Sequence, residues 1–270
     1  MADSLRQRVL TALLLAGLVI AALLGLPGHA AVAAIALVML AGAWEWAVFA
    51  GLTSTAGRVG YVALVAVTIA LLWTASGDGA NLRAILVLAM LWWLAGLLWL
   101  LFASHRGGHV AAALAGLAVL APAAVGLARL VLIEPQGREL LLFLIVLTAA
   151  ADVGAFFGGR RFGRRKLAPA VSPGKTWEGL MSGMLAASLA AAGGAQLLGH
   201  PLLPWLGLCL GVAMISVVGD LVESMFKRRT GLKDSGSLLP GHGGVLDRID
   251  SLTAAAPAFV LGLMTFGWAV

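Results

Sequence analysis

Charge is scarce in this 270-residue chain: Asp, Glu, Lys and Arg make up 11% of it, against about 25% in an average soluble domain. So little polar surface excludes a water-soluble globule. Cysteine is nearly absent as well. Cys209 stands alone in an apolar run, which rules out an internal disulfide and a cysteine-based zinc site and leaves the residue to packing. No internal repeat is visible, and that weighs against an inverted-repeat transporter.

What the chain does have is long apolar runs. Hydrophobic residues make up 61% of it, with Leu, Ala and Val in unbroken stretches. A hydrocarbon core about 30 Å thick takes roughly 20 such residues per helical crossing. A closed β-barrel would instead show short alternating segments. The expected fold is therefore all-α, a polytopic transmembrane bundle of about nine spans. These lie near residues 9–26, 28–50, 59–75, 83–102, 110–132, 140–158, 179–198, 202–222 and 251–269, separated by turn formers such as Pro27-Gly28 and Glu134-Pro135-Gln136-Gly137. Val9 to Leu26 follows Arg6 and Arg8 without a clear cleavage site, so it reads as a retained first helix.

The net charge of +6 could point to nucleic acid, but the basic residues sit in short loops between apolar spans. Membrane topology explains them, and no nucleic-acid partner is expected. With nine spans and a cytoplasmic N-terminus, of the 18 lysines and arginines only Arg83, Arg129 and Arg138 fall on the outer side. The C-terminus is then periplasmic. Ionisable groups are sparse in residues 1–140, read as N-terminal transmembrane helices. They concentrate in residues 141–270, read as a catalytic transmembrane region with cytoplasmic loops 159–178 and 223–250.

Three constellations in that second region carry chemistry. In the first, Asp152 falls inside the sixth apolar run, where an ionised carboxylate is costly and by default functional. Gly158, Gly159 and Gly163 follow, then five basic residues between Arg160 and Lys166, which suit phosphate but also satisfy topology alone. Ser172-Pro-Gly-Lys175-Thr176 then offers hydroxyl, amide and ammonium donors just before a helix N-terminus, though without the glycine spacing of a Walker A loop. In the second, Asp220, Glu223, Ser224 and Lys227 recur at spacings of three and four and share one helix face. The third runs from Lys233-Asp234 through Pro240-Gly-His242-Gly-Gly244 to Asp247, Arg248 and Asp250. Carboxylates at a helix start can merely complement its dipole. Hard oxygen donors beside so many bases nevertheless suit a magnesium–nucleotide complex, and zinc is disfavoured by the single histidine.

The second and third constellations together resemble the phosphatidate cytidylyltransferases, also called CDP-diacylglycerol synthases. The family signature reads here as Ser224, Lys227-Arg228, Lys233-Asp234, Pro240, His242-Gly-Gly244, Asp247-Arg248 and Asp250. The segment from Asp152 to Gly179 is similar to a second family stretch, with Phe156 where relatives often carry tyrosine, and Trp44-Glu45-Trp46 adds some specificity upstream. Glu45 reads either as support for the site or as a helix-end acid packed near an arginine.

The resemblance implies that phosphatidate and CTP give CDP-diacylglycerol and pyrophosphate. On that basis Asp220 and Asp247 are expected to hold Mg2+, with Glu223 and Asp250 as further candidate ligands; Mn2+ or a second cation is compatible. Lys227, Lys233 and His242 join the two aspartates as the expected catalytic set, His242 as acid–base or hydrogen-bonding group. Asp152, Ser172, Lys175, Ser224, Arg228 and Arg248 are the expected substrate-binding residues. The expected setting is a bacterial inner membrane, multi-pass, with the site facing the cytoplasm, membrane lipids as neighbours and a homo-oligomer compatible. Two other classes compete: an ion-coupled transporter using Asp152 and Asp220 at membrane depth, and a CTP-dependent lipid kinase.

Overall fold

The computed structural model describes residues 17, 21, 25–105, 107–238 and 243–268. Among them the fold is helical: α1 (Gly28–Phe49), α2 (Thr55–Ala75), α3 (Gly79–Ala103), α4 (His109–Val131), α5 (Gly137–Phe162), α6 (Trp177–Leu198), α7 (Leu202–Arg229) and α8 (Leu246–Thr265). Seven of these, α1 to α7, are long and apolar enough to cross a membrane. The expected span at 9–26 lies almost wholly outside the described residues.

Helix boundaries follow local chemistry more closely than hydropathy does. The Ser54 side chain accepts from the Gly57 amide and starts α2 at Thr55, four residues before the apolar run. Helix α7 continues past its apolar part to Arg229, because Lys227, Arg228 and Arg229 complement the negative end of its dipole. Helix α5 likewise runs on through Arg160 and Arg161 to Phe162. Residues 159–178 and 223–250 are thus only partly loop. The first contains a structure the apolar pattern did not announce, an antiparallel hairpin of β1 (Lys166–Ala168) and β2 (Ser172–Thr176), with Lys166 opposite Thr176.

Helix α8 is the hub of the bundle, packed against α7, α4, α3 and α6's partner α5, with α1 crossing its start. Ala254, Ala255, Ala256 and Phe259 on it are fully buried. Helices α5 and α6 form the most closely packed pair, and α6 also packs on α7. Their backbones meet at Gly183, where an added Cβ would lie 2.6 Å from the Ala151 carbonyl oxygen. Small residues allow this approach, which is how helices gain packing energy in lipid. By contrast, Leu64, Val67 and Leu71 on α2, and Met181, Leu185 and Leu189 on α6, are exposed and form faces suited to acyl chains.

The three arginines expected on the outer side all tie helix ends together. Arg83 donates to the Met264 carbonyl at the end of α8, Arg129 to the Trp73 carbonyl at the end of α2, and Arg138 to the Leu26 carbonyl just before α1. Those contacts gather the starts of α1, α3 and α5 and the ends of α2, α4 and α8 at one end of the bundle. The opposite end holds the hairpin and the charged end of α7. Replacing Gly183 by Val forces α5 and α6 apart. We expect a loss of about 2 kcal/mol, read as a lower unfolding midpoint in detergent.

Candidate active site

Helix α7 presents its polar face as the spacing implies. Ser224 Oγ donates to Asp220 Oδ1 at 3.2 Å, and one turn on, Lys227 Nζ lies 3.0 Å from Glu223 Oε1. The same ammonium donates to Asp247 Oδ1 on α8 at 2.8 Å. Glu223 and Lys227 are buried, 3% and 8% exposed, so each charge depends on the other for compensation. Glu223 Oε1 has no aligned hydrogen-bond donor among the described residues, and the ion pair with Lys227 is its compensation. Asp250 lies within electrostatic range of Glu223, Asp220 and Lys227, and its Oδ1 accepts from the Ser251 amide.

Asp247 is held on every side. Its Oδ2 accepts from the Ser235 and Gly244 amides at 3.0 and 2.9 Å while Oδ1 takes Lys227. Gly244 has no alternative residue at this spot, since a Cβ there would collide with Ser235 Oγ and the Glu45 carboxylate. That contact exposes a residue whose role the sequence left open. Glu45 on α1 is 2% exposed, and it accepts from Ser235 Oγ, the Val245 amide and the Leu246 amide at 3.0, 3.0 and 2.8 Å. It caps the start of α8 from a helix two hundred residues away, which is why α8 begins at Leu246 and not at Ser251.

A second group surrounds a cavity of about 490 Å³ between α5, the hairpin, α6 and α7. Lys175 on β2 pairs with Asp220 Oδ2 at 2.5 Å. Asp152 lines the same cavity and accepts from Ser251 Oγ of α8 at 3.3 Å. Ser172 and Arg160 share its polar wall, and Phe156, Leu180 and Val217 supply an apolar one. Asp220 belongs to both groups and so joins the cavity to the Lys227 cluster. The hairpin is fixed by two devices: the Thr176 side chain caps α6 at the Gly179 amide, and Glu178 accepts from the Arg164 and Arg165 amides. Glu178 was not singled out in the sequence; its position in the first turn of a helix after a basic run is the signal that could have found it.

The remaining candidates are placed as follows. Arg228 donates to the Val171 carbonyl at the hairpin turn. Lys233, Asp234 and Arg248 are exposed at the same end of the bundle. His242 and Pro240 lie outside the described residues. Among the described residues, no three acidic, histidine or cysteine side chains converge with metal-binding spacing. Asp152, Asp220, Glu223, Asp247 and Asp250 nevertheless supply carboxylate oxygens, the hard donors that a divalent cation accepts, and Lys175 and Lys227 form ion pairs with Asp220, Glu223 and Asp247.

Residues 6–266 match the model of the Cytidylyltransferase family. This chain belongs to that family. It is 46% identical to the phosphatidate cytidylyltransferase of Pseudomonas aeruginosa over 98% of both chains. It is also 40% identical to the enzyme of that name from Haemophilus influenzae, over 94% of this chain and 97% of the relative. A Helicobacter pylori protein with the same name is 45% identical over 44% of this chain. Glu178→Ala frees the Arg164 and Arg165 amides. Hydrogen–deuterium exchange is expected to accelerate in residues 163–176 while α8 keeps its protection; unchanged exchange in the hairpin would contradict the role given to Glu178.

Proposed function

We propose that this protein transfers the cytidylyl group of CTP to phosphatidate, releasing pyrophosphate and leaving CDP-diacylglycerol in the membrane. The observation that carries this reading is the near-full-length match to phosphatidate cytidylyltransferases, on a chain whose acidic and basic side chains meet at one end of an apolar bundle. The cavity's mixed walls support it, since a phosphatidate needs a cationic wall for its headgroup beside an apolar one for its chains.

The reaction is an in-line attack by a phosphatidate oxygen on the α-phosphorus of CTP. The lipid phosphate is already ionised, so little deprotonation is needed, and the work falls to positioning and charge neutralisation. Lys175 and Arg160 at the cavity, and Lys227, Lys233, Arg228 and Arg248 around the α7–α8 end, would hold phosphate oxygens. Ser172 and Ser224 supply hydroxyl donors, Asp152 takes part in substrate binding from the cavity wall, and His242 serves as an acid–base or hydrogen-bonding group. Asp220 and Asp247 would hold Mg2+, with Glu223 and Asp250 beside them; Mn2+ and a second cation suit the same oxygens. When bound, the ion would neutralise triphosphate charge.

The finer topology belongs to this reading: about nine spans, a cytoplasmic N-terminus, a periplasmic C-terminus and a site on the cytoplasmic face of a bacterial inner membrane. In it, residues 1–140 act mainly as scaffold and residues 141–270 carry the chemistry. The basic residues at the hairpin end of the bundle support that orientation.

Radiolabelled CTP supplied with phosphatidate and Mg2+ should yield labelled CDP-lipid and pyrophosphate, and neither product if either substrate is omitted. Release of CDP instead would point to a kinase. Lys175→Ala is expected to raise the KM for CTP or phosphatidate about ten-fold; if both constants stayed at their original values, Lys175 would have no part in substrate binding.

A further inference from the structure

The strongest feature that the reaction itself does not use is the Glu45 carboxylate. It comes from α1, in the part of the chain poorest in charge, yet it is almost fully buried against the loop and helix start that carry Asp247. Its two oxygens take three donors, the amides of Val245 and Leu246 at the start of α8 and the Ser235 hydroxyl. A helix start leaves its first amides without intrahelical partners and carries partial positive charge, so a carboxylate there is doubly favoured. Val245, the residue at the cap position, has no capping side chain of its own.

The same turn is gripped by Asp247, whose Oδ2 takes the Ser235 and Gly244 amides. Glu45 and Asp247 thus hold the two sides of one loop: Glu45 takes the Ser235 side chain, and Asp247 takes the Ser235 backbone. Gly236 completes the fit, because a Cβ there would strike Glu45 Oε1. Removing the Glu45 charge would free the 235–246 arm. Asp247 Oδ2 would then lose its fixed amides, and Lys227, shared between Asp247 and Glu223, would lose its register.

We infer that Glu45 is a positioning residue for the cytidylyl transfer. It sets Asp247, and through it Lys227, at the place where the triphosphate is bound, and it makes the N-terminal helices part of the catalytic apparatus without touching substrate. The inference rests on the reading of Asp247 and Lys227 as site residues given above.

The test compares Glu45→Gln with Asp247→Asn in the full-length detergent-solubilised protein. Gln keeps the shape but turns one of the two acceptor oxygens into a donor. Glu45→Gln is expected to lower kcat/KM for CTP about ten-fold, to shift the unfolding midpoint by less than about 4 °C, and to accelerate hydrogen–deuterium exchange in residues 233–248 while α5 and α6 keep theirs. Asp247→Asn separates the two claims: if it retains full activity, the reading of the site fails, whereas if it is inactive and Glu45→Gln is fully active, the positioning role fails. Should Glu45→Gln not fold, Ser235→Ala removes one of the three donors to Glu45. It is expected to give the same localised exchange with about a three-fold loss in kcat/KM, and unaltered exchange and turnover in that variant overturn the inference.

Discussion

Lys227 Nζ sits between Glu223 Oε1 at 3.0 Å and Asp247 Oδ1 at 2.8 Å, and in doing so joins α7 to α8 at the charged end of the bundle. Each partner alone is an ion in a place with little water, which costs several kcal/mol per charge. Together they compensate one another, and the geometry of the rest follows from keeping them together. Helix α7 must remain helical to Arg229 so that Glu223 and Lys227 stay four residues apart on one face. Helix α8 must begin early enough to bring Asp247 within reach, and Glu45 supplies the cap that allows it. Ser235 and Gly244 then close the loop between the two helices on the other oxygen of Asp247.

The same arrangement ties the α7–α8 cluster to the neighbouring cavity. Asp220 is shared: its Oδ1 accepts from Ser224 beside the Lys227 cluster, and its Oδ2 pairs with Lys175 on the wall of the cavity. Two polar regions therefore meet at one carboxylate. The hairpin that delivers Lys175 is anchored by Glu178 and Thr176, and Arg228 reaches from α7 to its turn at Val171.

Much of this was legible in the residues, and the limits have physical causes. Apolar runs revealed the helical bundle and most of its helices, because lipid imposes one requirement on every span. The spacing of Asp220, Glu223, Ser224 and Lys227 placed them on one face, because helical period is a local property. Helix ends were less visible. Thr55, Arg229 and Leu246 begin or end helices through caps and charges that hydropathy averages away. The hairpin was hidden for a similar reason, since a basic, glycine-rich stretch reads as loop until its partner strand is known. Glu45 was ambiguous because its partners, Ser235, Val245 and Leu246, are remote in sequence and two of them are backbone amides. Arg83, Arg129 and Arg138 looked like exceptions to a charge rule; in the folded chain they tie helix ends together through main-chain carbonyls.

The most direct measurement is a double-mutant cycle between Lys227 and Asp247, read as unfolding free energy in detergent for Lys227→Met, Asp247→Asn and the pair. A shared buried ammonium predicts strong coupling, with the double variant about 2 kcal/mol less destabilised than the sum of the single ones. Additive losses would mean that α7 and α8 are not joined through this lysine, and the arrangement built upon it would not stand.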